Sequence, residues 1–261
     1  CVRRGTIIER TGCELWMHPN HEHMTRAAQD PDAAMERRIE IARTSGVPEA
    51  PLRAYQEARK GQGFGIAGIV EPDRDLLPGV EIETDLGTFE VVETPGHAPS
   101  HVCLFQRDKR ILFSGDHLLG RVSLYYDYGY SPDPVGEFLE SLSRVEDLDM
   151  RLCLSGHGRT FTDVQAHITA NRVLVAERLE ACLTVVRERG PITAFDAEFL
   201  ERIGRLADLV QQFAIRDRQT VARLAFPVIG NLVTQAVFHV AIEAVVRDIE
   251  LAAYEPLGKW R

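Results

Sequence analysis

Apolar positions recur along the 261-residue chain with two periods, and the change from one to the other divides it. Short β-branched and aromatic runs at Val80–Glu83, Thr88–Val92, His101–Gln106 and Ile111–Phe113 predict strands. Asp85-Leu86-Gly87 and Arg107-Asp108-Lys109 fall between them at hairpin spacing. An amphipathic helix over Glu137–Val145, introduced by SPDP, leads to one more strand at Leu152–Leu154. Ahead of these, Val2–Arg10 has helical spacing stopped by Thr11-Gly12, and Cys13–Trp16 within CELWMHP reads as a short strand closed before Pro19. Residues 21–61 form a helical insertion: one helix opens at Asp30-Pro31 and stops at Gly46, and PEAPLRAYQEARKG makes another. Gly61–Gly79, with GQGFG, predicts a loop with little regular structure. From Asp163 the helical period takes over, at Val164–Arg189, Ala194–Ile203, Arg218–Ala225 and Leu232–Glu250, the last with Val233, Val237, Val240, Ala241, Ala244 and Val245 on one face. Gly190-Pro191 is the strongest break. Hairpins followed by a helix and a return strand predict an α/β (α+β) chain folded as an αββα sandwich, followed by a mainly helical part.

Three of the strand ends share a design. VETPGHAPSHV (Val92–Val102), LFSGDHLLG (Leu112–Gly120) and LCLSGHG (Leu152–Gly158) each place a metal-ligating side chain directly after a glycine that follows an apolar run. The residues are His97, Asp116 and His157, spaced by 19 and 41 positions. Imidazole nitrogens and a carboxylate oxygen on tight turns at a sheet edge suit a divalent ion of the zinc kind. As unrelated turn residues the three would have no reason to repeat in this order, so convergence on a common centre is the expectation.

At these residues the chain resembles the metallo-beta-lactamase-fold hydrolases, whose downstream metal motifs run TPGHxxxH, GDH and GHG. Ser100 stands where a glycine is common and Ser155 where a proline is common; neither change removes a ligand. The HxHxDH signature that supplies about half of that family's site is not in this sequence. The resemblance therefore implies a metallo-beta-lactamase-type sandwich that starts in mid-domain and covers residues 1–178. A helical, winged-helix-like part follows at 179–261. It implies that Asp116 bridges two zinc ions, with His97 on the first and His157 on the second, iron or manganese being alternative metals. The chemistry implied is attack of a metal-bound hydroxide on an ester, thioester, lactone or amide-like bond of a small-molecule substrate. An iron-dependent oxidoreductase on the same fold is the runner-up. A non-catalytic fragment is the third reading, because two histidines and one carboxylate do not complete two metal shells. Weak metal binding by these residues alone is the corresponding expectation.

Composition narrows the setting. With 44% hydrophobic and 26% charged residues the chain is globular in character, and a net charge of −9 offers no electrostatic footprint for nucleic acid. The helical part, with nine acids and eight Lys or Arg from Asp196 to Arg261, offers none either. Five cysteines without a C-x-x-C pair suit reduced thiols, and no window is apolar enough to span a membrane, so a cytoplasmic location is expected. The apolar face of 232–250 would pack on the rest of the chain or form a homodimer. His101 and His117 flank the ligands and could hold them in place through ring hydrogen bonds, or simply make structural ones. Tyr125 and Tyr126, in the YYDYGY loop, are candidates for the substrate mouth, with surface packing the equal alternative. His18, His21 and His23 in HPNHEH have H-x-H spacing but no following Asp-His, and a surface turn accounts for them better than a metal site.

Overall fold

The alternating run after residue 80 folds as an antiparallel meander whose register places its apolar positions on opposite faces in turn. In a computed structural model that describes residues 2–60, 69–121, 126 and 130–197, strands β3 (Glu81–Thr84), β4 (Gly87–Glu93), β5 (Val102–Gln106), β6 (Ile111–Gly115) and β7 (Leu152–Ser155) form one five-stranded sheet in chain order. The first three junctions are antiparallel and β6–β7 is parallel, as the intervening helix α5 (Pro134–Glu146) requires. Pairings Val92↔Cys103 and Phe105↔Leu112 line up one apolar face. On that face Cys103, Phe105, Leu112 and Cys153 pack with Phe138, Leu142 and Val145 of α5 and with Val164, Ile168 and Val175 of α6 (Val164–Arg189). The opposite face carries Phe89, Val91, Leu104 and Phe113; Phe89 and Val91 are buried, while Phe113 remains exposed. α5 starts three residues before the expected Glu137, inside SPDP: the Asp133 carboxylate accepts from the Gly136 amide, and Pro134 occupies the first turn.

Before the sheet come helix α1 (Val2–Thr11), ended by Gly12 at φ 66°, then strand β1 (Trp16–Met17), a short 3-10 turn at Pro19–His21 and helix α2 (Glu22–Gln29). Two expectations are corrected here. The first strand is not Cys13–Trp16 but Trp16–Met17, and it pairs in parallel with the two-residue β2 (Arg74–Asp75), inside the stretch expected to be a loop with little regular structure. The cause is a contact across the chain: the Leu15 amide donates to the Asp73 carboxylate, and the Leu15 carbonyl accepts from the Asp73 amide.

By internal packing the chain divides into two units: Cys1–Pro31 with Gly63–Leu179, which holds the sheet, and Asp32–Gln62 with Glu180–Arg261. In the second unit, α3 (Pro31–Thr44) and α4 (Glu49–Arg59) bury Ile39, Ala42, Leu52 and Tyr55 against one another. Gly46 ends α3 at φ 94° with Thr193 seated against it, and the Phe195 amide donates to the Ser45 carbonyl. A dip of about 450 Å³ beside α3 is lined largely by Glu36, Arg37, Glu40 and Arg43, charged side chains of a solvated helix face. The expected helices Arg218–Ala225 and Leu232–Glu250, the end of Ala194–Ile203 and the winged-helix-like part lie outside the described residues, as does Tyr125. No helix among the described residues is long and apolar enough to cross a membrane.

Candidate metal centre

Each of the three Gly-ligand turns sits at the same end of the sheet, beyond β4, β6 and β7. The first is a closed loop: the Thr94 amide donates to the His101 carbonyl and the His101 amide to the Ala98 carbonyl, which presents His97 at the tip. Gly96, at φ 126°, cannot be replaced here, because a Cβ would meet the backbone of Phe138 at 2.7 Å. Gly115, at φ 49°, turns β6 so tightly that a Cβ would lie 2.7 Å from His101 Nε2. Gly156 rests against the Asp116 carboxylate and the Gly115 carbonyl, and a side chain there would collide with both. The glycine that precedes each ligand is thus a matter of close approach, which explains the repeat in the sequence. Backbone bonds from the Gly156 amide to the Gly115 carbonyl and from the Gly120 amide to the His157 carbonyl tie the second and third turns together. Ser155 also closes the third turn, its hydroxyl donating to the His157 carbonyl at 2.8 Å.

The structure brings the three ligand candidates together. His97 Nε2 lies 3.6 Å from Asp116 Oδ2, and His157 Nε2 lies 3.6 Å from Asp116 Oδ1. One carboxylate therefore offers a separate oxygen to each imidazole, the donor arrangement of a bridging ligand between two cations. Among the described residues no group of three or more His, Cys, Asp or Glu side chains converges on one point. The donor set fits two ions by chemistry and by its symmetric spacing, but each would receive only one imidazole and one oxygen from it. A groove of about 580 Å³ opens beside His97 and Asp116, walled by Leu15, Trp16 and Met17, and leaves room there for further ligating groups.

The flanking histidines differ. His101 Nε2 accepts the Asp116 amide at 3.0 Å and its Nδ1 lies 2.7 Å from the Thr94 hydroxyl. Burial, with His97 adding to it and Asp116 opposing, pulls its pKa down to about 4, so the ring is neutral near pH 7. His117 is turned into the core, edge-on to Phe138, with neither ring nitrogen in a well-formed hydrogen bond. Burial, assisted by His101, lowers its pKa to about 3, and the Ser141 backbone offsets only part of that. It makes no hydrogen bond to a ligand candidate. His18 donates from Nε2 to the Glu93 carboxylate at 2.8 Å, while its Nδ1 accepts the Asn20 amide. His23 Nδ1 lies 2.7 Å from the Asn20 carbonyl, and one nitrogen of His21 is buried without a partner. These residues tie down the turn after β1; His18 and His23 also line the groove beside His97 and Asp116, without forming a group of three or more ligating side chains with them among the described residues. Tyr126 packs edge-on against Phe138 with its hydroxyl buried, and burial raises its pKa to about 12. That is a packing position.

Thr94, Cys103 and Ser114 were not singled out for the site from sequence, yet all three are fully buried directly beneath it. Thr94 Oγ1 contacts Cys103 Sγ at 3.3 Å, Cys103 Sγ reaches the Ser114 carbonyl at 3.5 Å, and Ser114 Oγ donates to the Leu118 carbonyl at 2.6 Å. For Thr94 and Ser114 the available signal was a polar residue at a strand end, three residues before His97 and two before Asp116; Cys103 carried no such signal.

A profile of the metallo-beta-lactamase superfamily matches residues 5–157. An atrochrysone carboxyl ACP thioesterase of Aspergillus fumigatus is 28% identical over 184 residues, covering 65% of this chain and 55% of its own. A probable metallo-hydrolase of Bacillus subtilis is 33% identical over 156 residues, covering 58% of this chain and 48% of its own. The chain thus spans about half the length of these two relatives. Among solved structures, a metallo-beta-lactamase family protein of Thermus thermophilus superposes with a TM-score of 0.60 at 26% identity, over 75% of this chain and 62% of that one. By motif order, by the geometry of three ligand turns at one sheet end and by these matches, the chain belongs to the metallo-beta-lactamase superfamily.

Proposed function

We propose that the protein is a metal-dependent hydrolase of ester-like bonds, thioesters foremost, with a two-zinc site built on His97, Asp116 and His157. The observation that carries the reading is the placement of two imidazoles at 3.6 Å from two different oxygens of Asp116. The names of the two relatives, a thioesterase and a probable metallo-hydrolase, support the reaction class. His97 and His157 would each hold one ion and Asp116 both; the family's HxHxDH segment, absent from these 261 residues, would supply the remaining ligands. A divalent pair, when bound, supplies Lewis acidity to a carbonyl oxygen and to a water. The chain's own part is geometric. Backbone hydrogen bonds join the Asp116 and His157 turns, and the His101 ring ties the loop that carries His97 to the Asp116 amide, so Asp116 is held between both histidines.

The experiment is hydrolysis of thioester, lactone, ester and β-lactam substrates by the protein in its full chain, loaded with zinc, iron or manganese, beside its Asp116→Ala variant. Thioester turnover with zinc, lost in D116A by more than the roughly 100-fold that removing an outer support of a ligand costs, is the expected result. Activity in D116A within a few-fold of the parent overturns the assignment. Turnover that follows iron and an oxidisable substrate replaces it with the oxidoreductase.

A further inference from the structure

We infer that His101 is the positioning residue of the centre: it fixes Asp116 between the two histidines by accepting the Asp116 amide on Nε2, and is itself locked in the Nδ1–H tautomer by Thr94. The inference rests on Asp116 being a ligand, and it concerns how that ligand is held.

The protons can be assigned one at a time. A backbone amide only donates, so at 3.0 Å the Asp116 N–H requires a lone pair on His101 Nε2. The neutral ring then carries its proton on Nδ1, which must donate to Thr94 Oγ1 at 2.7 Å. Thr94, accepting there, keeps its own hydroxyl proton for Cys103 Sγ, and the Cys103 thiol donates onward to the Ser114 carbonyl. Ser114 receives the Cys153 thiol on its hydroxyl oxygen at 3.2 Å and donates to the Leu118 carbonyl. The first run of bonds points one way, from the Asp116 amide to the Ser114 carbonyl, and a second, separate run leads from the Cys153 thiol through the Ser114 hydroxyl to the Leu118 carbonyl. Both runs end on carbonyls that flank Asp116 in its turn. With Thr94, Cys103 and Ser114 all at 0% exposure, no water competes for these groups, and reversing one bond would leave a buried donor facing a donor. His101 Nε2 is also the atom that a side chain at Gly115 would strike, so the turn is shaped to bring amide and ring nitrogen together.

Nuclear magnetic resonance of the uniformly 15N-labelled protein tests the arrangement without reference to activity. The expected result is a His101 ring protonated on Nδ1 only, with a nitrogen–nitrogen coupling across the hydrogen bond between Asp116 N and His101 Nε2. A ring protonated on Nε2, or no coupling, overturns the inference. Zinc titrations then separate this claim from the ligand reading. Thr94→Ser keeps the hydroxyl and is expected to bind zinc as the parent does; Thr94→Val removes it and is expected to bind about 10- to 100-fold more weakly with the fold intact. His101→Gln, which retains one acceptor and one donor, is expected to fall between. Parent-like zinc affinity in T94V overturns the positioning role while leaving Asp116 a ligand, whereas parent-like affinity in Asp116→Ala removes the ligand reading itself.

Discussion

The end of the sheet beneath the ligand turns and the helical pair α3–α4 are both buried, but by different means. Beneath the turns, Thr94, Cys103, Ser114 and Cys153 are polar or weakly polar groups in the interior, each with a specific partner, packed beside Leu112, Phe105 and Leu142. The α3–α4 pair buries Ile39, Ala42, Leu52 and Tyr55 with one part-buried bond, from Arg38 to the Tyr55 hydroxyl, and its ion pairs, Arg43 with Glu40 and Glu49 and Arg53 with Glu49, lie in water. Hydrogen bonds inside a dry core have a narrow optimum and cost much when broken, so they define where an atom sits. Apolar contact between two helices tolerates small shifts, and exposed ion pairs add little. A metal site needs the first kind of support, which is where the chain places its ligand candidates.

The largest expected effect comes from removing bulk in each region. Leu112 and Leu52 are equally buried, at 0% and 1% exposure, yet Leu112 lies in a sheet held on both sides by its neighbouring strands and covered by two helices. That site cannot collapse, and Leu112→Ala is expected to cost about 4 kcal/mol; Leu52→Ala, between helices that can move together, about 2 kcal/mol. Urea unfolding gives both values, and an equal or reversed order would show that the two interiors do not differ in stiffness.

A smaller effect is expected at Gly156. A Cβ there must displace the Asp116 carboxylate, so Gly156→Ala should cost about 1–3 kcal/mol of stability, like other overpacked positions. It should also weaken zinc binding by at least about tenfold, because the carboxylate is the group that moves. Calorimetric titration with zinc reads the second effect, and unchanged affinity would mean that the carboxylate has slack the geometry denies it.

The smallest effect is one of pH. Burial pushes the Cys103 thiol up from about 9 to about 12, with the Thr94 hydroxyl opposing, and raises Cys153 too. A thiol whose folded pKa is raised contributes its full stability below about pH 9 and loses it as pH climbs toward 12, because the unfolded chain ionises first. Near pH 8, Cys103 and Cys153 should therefore resist iodoacetamide while exposed Cys13 is alkylated, as peptide mass mapping would read. Labelling of Cys103 at the rate of Cys13 in folded protein would show that the sheet end opens readily.

Much of this molecule is written locally. Helix α6 begins and ends where its caps place it, at Val164 and at Arg189 before Gly190, and the hairpins follow their turn residues. The ligand candidates could be read in the same way, because each follows a glycine that the turn makes obligatory. Local pattern failed where a bond joins distant residues. Nothing near Trp16 announces that it pairs with Arg74, 58 positions away, since a two-residue strand carries no period and depends on a bond from Leu15 to Asp73. The histidines show the same limit. His101 and His117 look alike beside their ligands, and a side chain's neighbours along the chain do not say which way its ring will point. Folding turns one toward the amide of Asp116 and the other onto Phe138, because hydrogen-bond direction and burial are settled by groups brought together from separate strands. Residue type and turn chemistry determine which groups can ligate; the packing of β4, β5, β6 and β7 determines where they point.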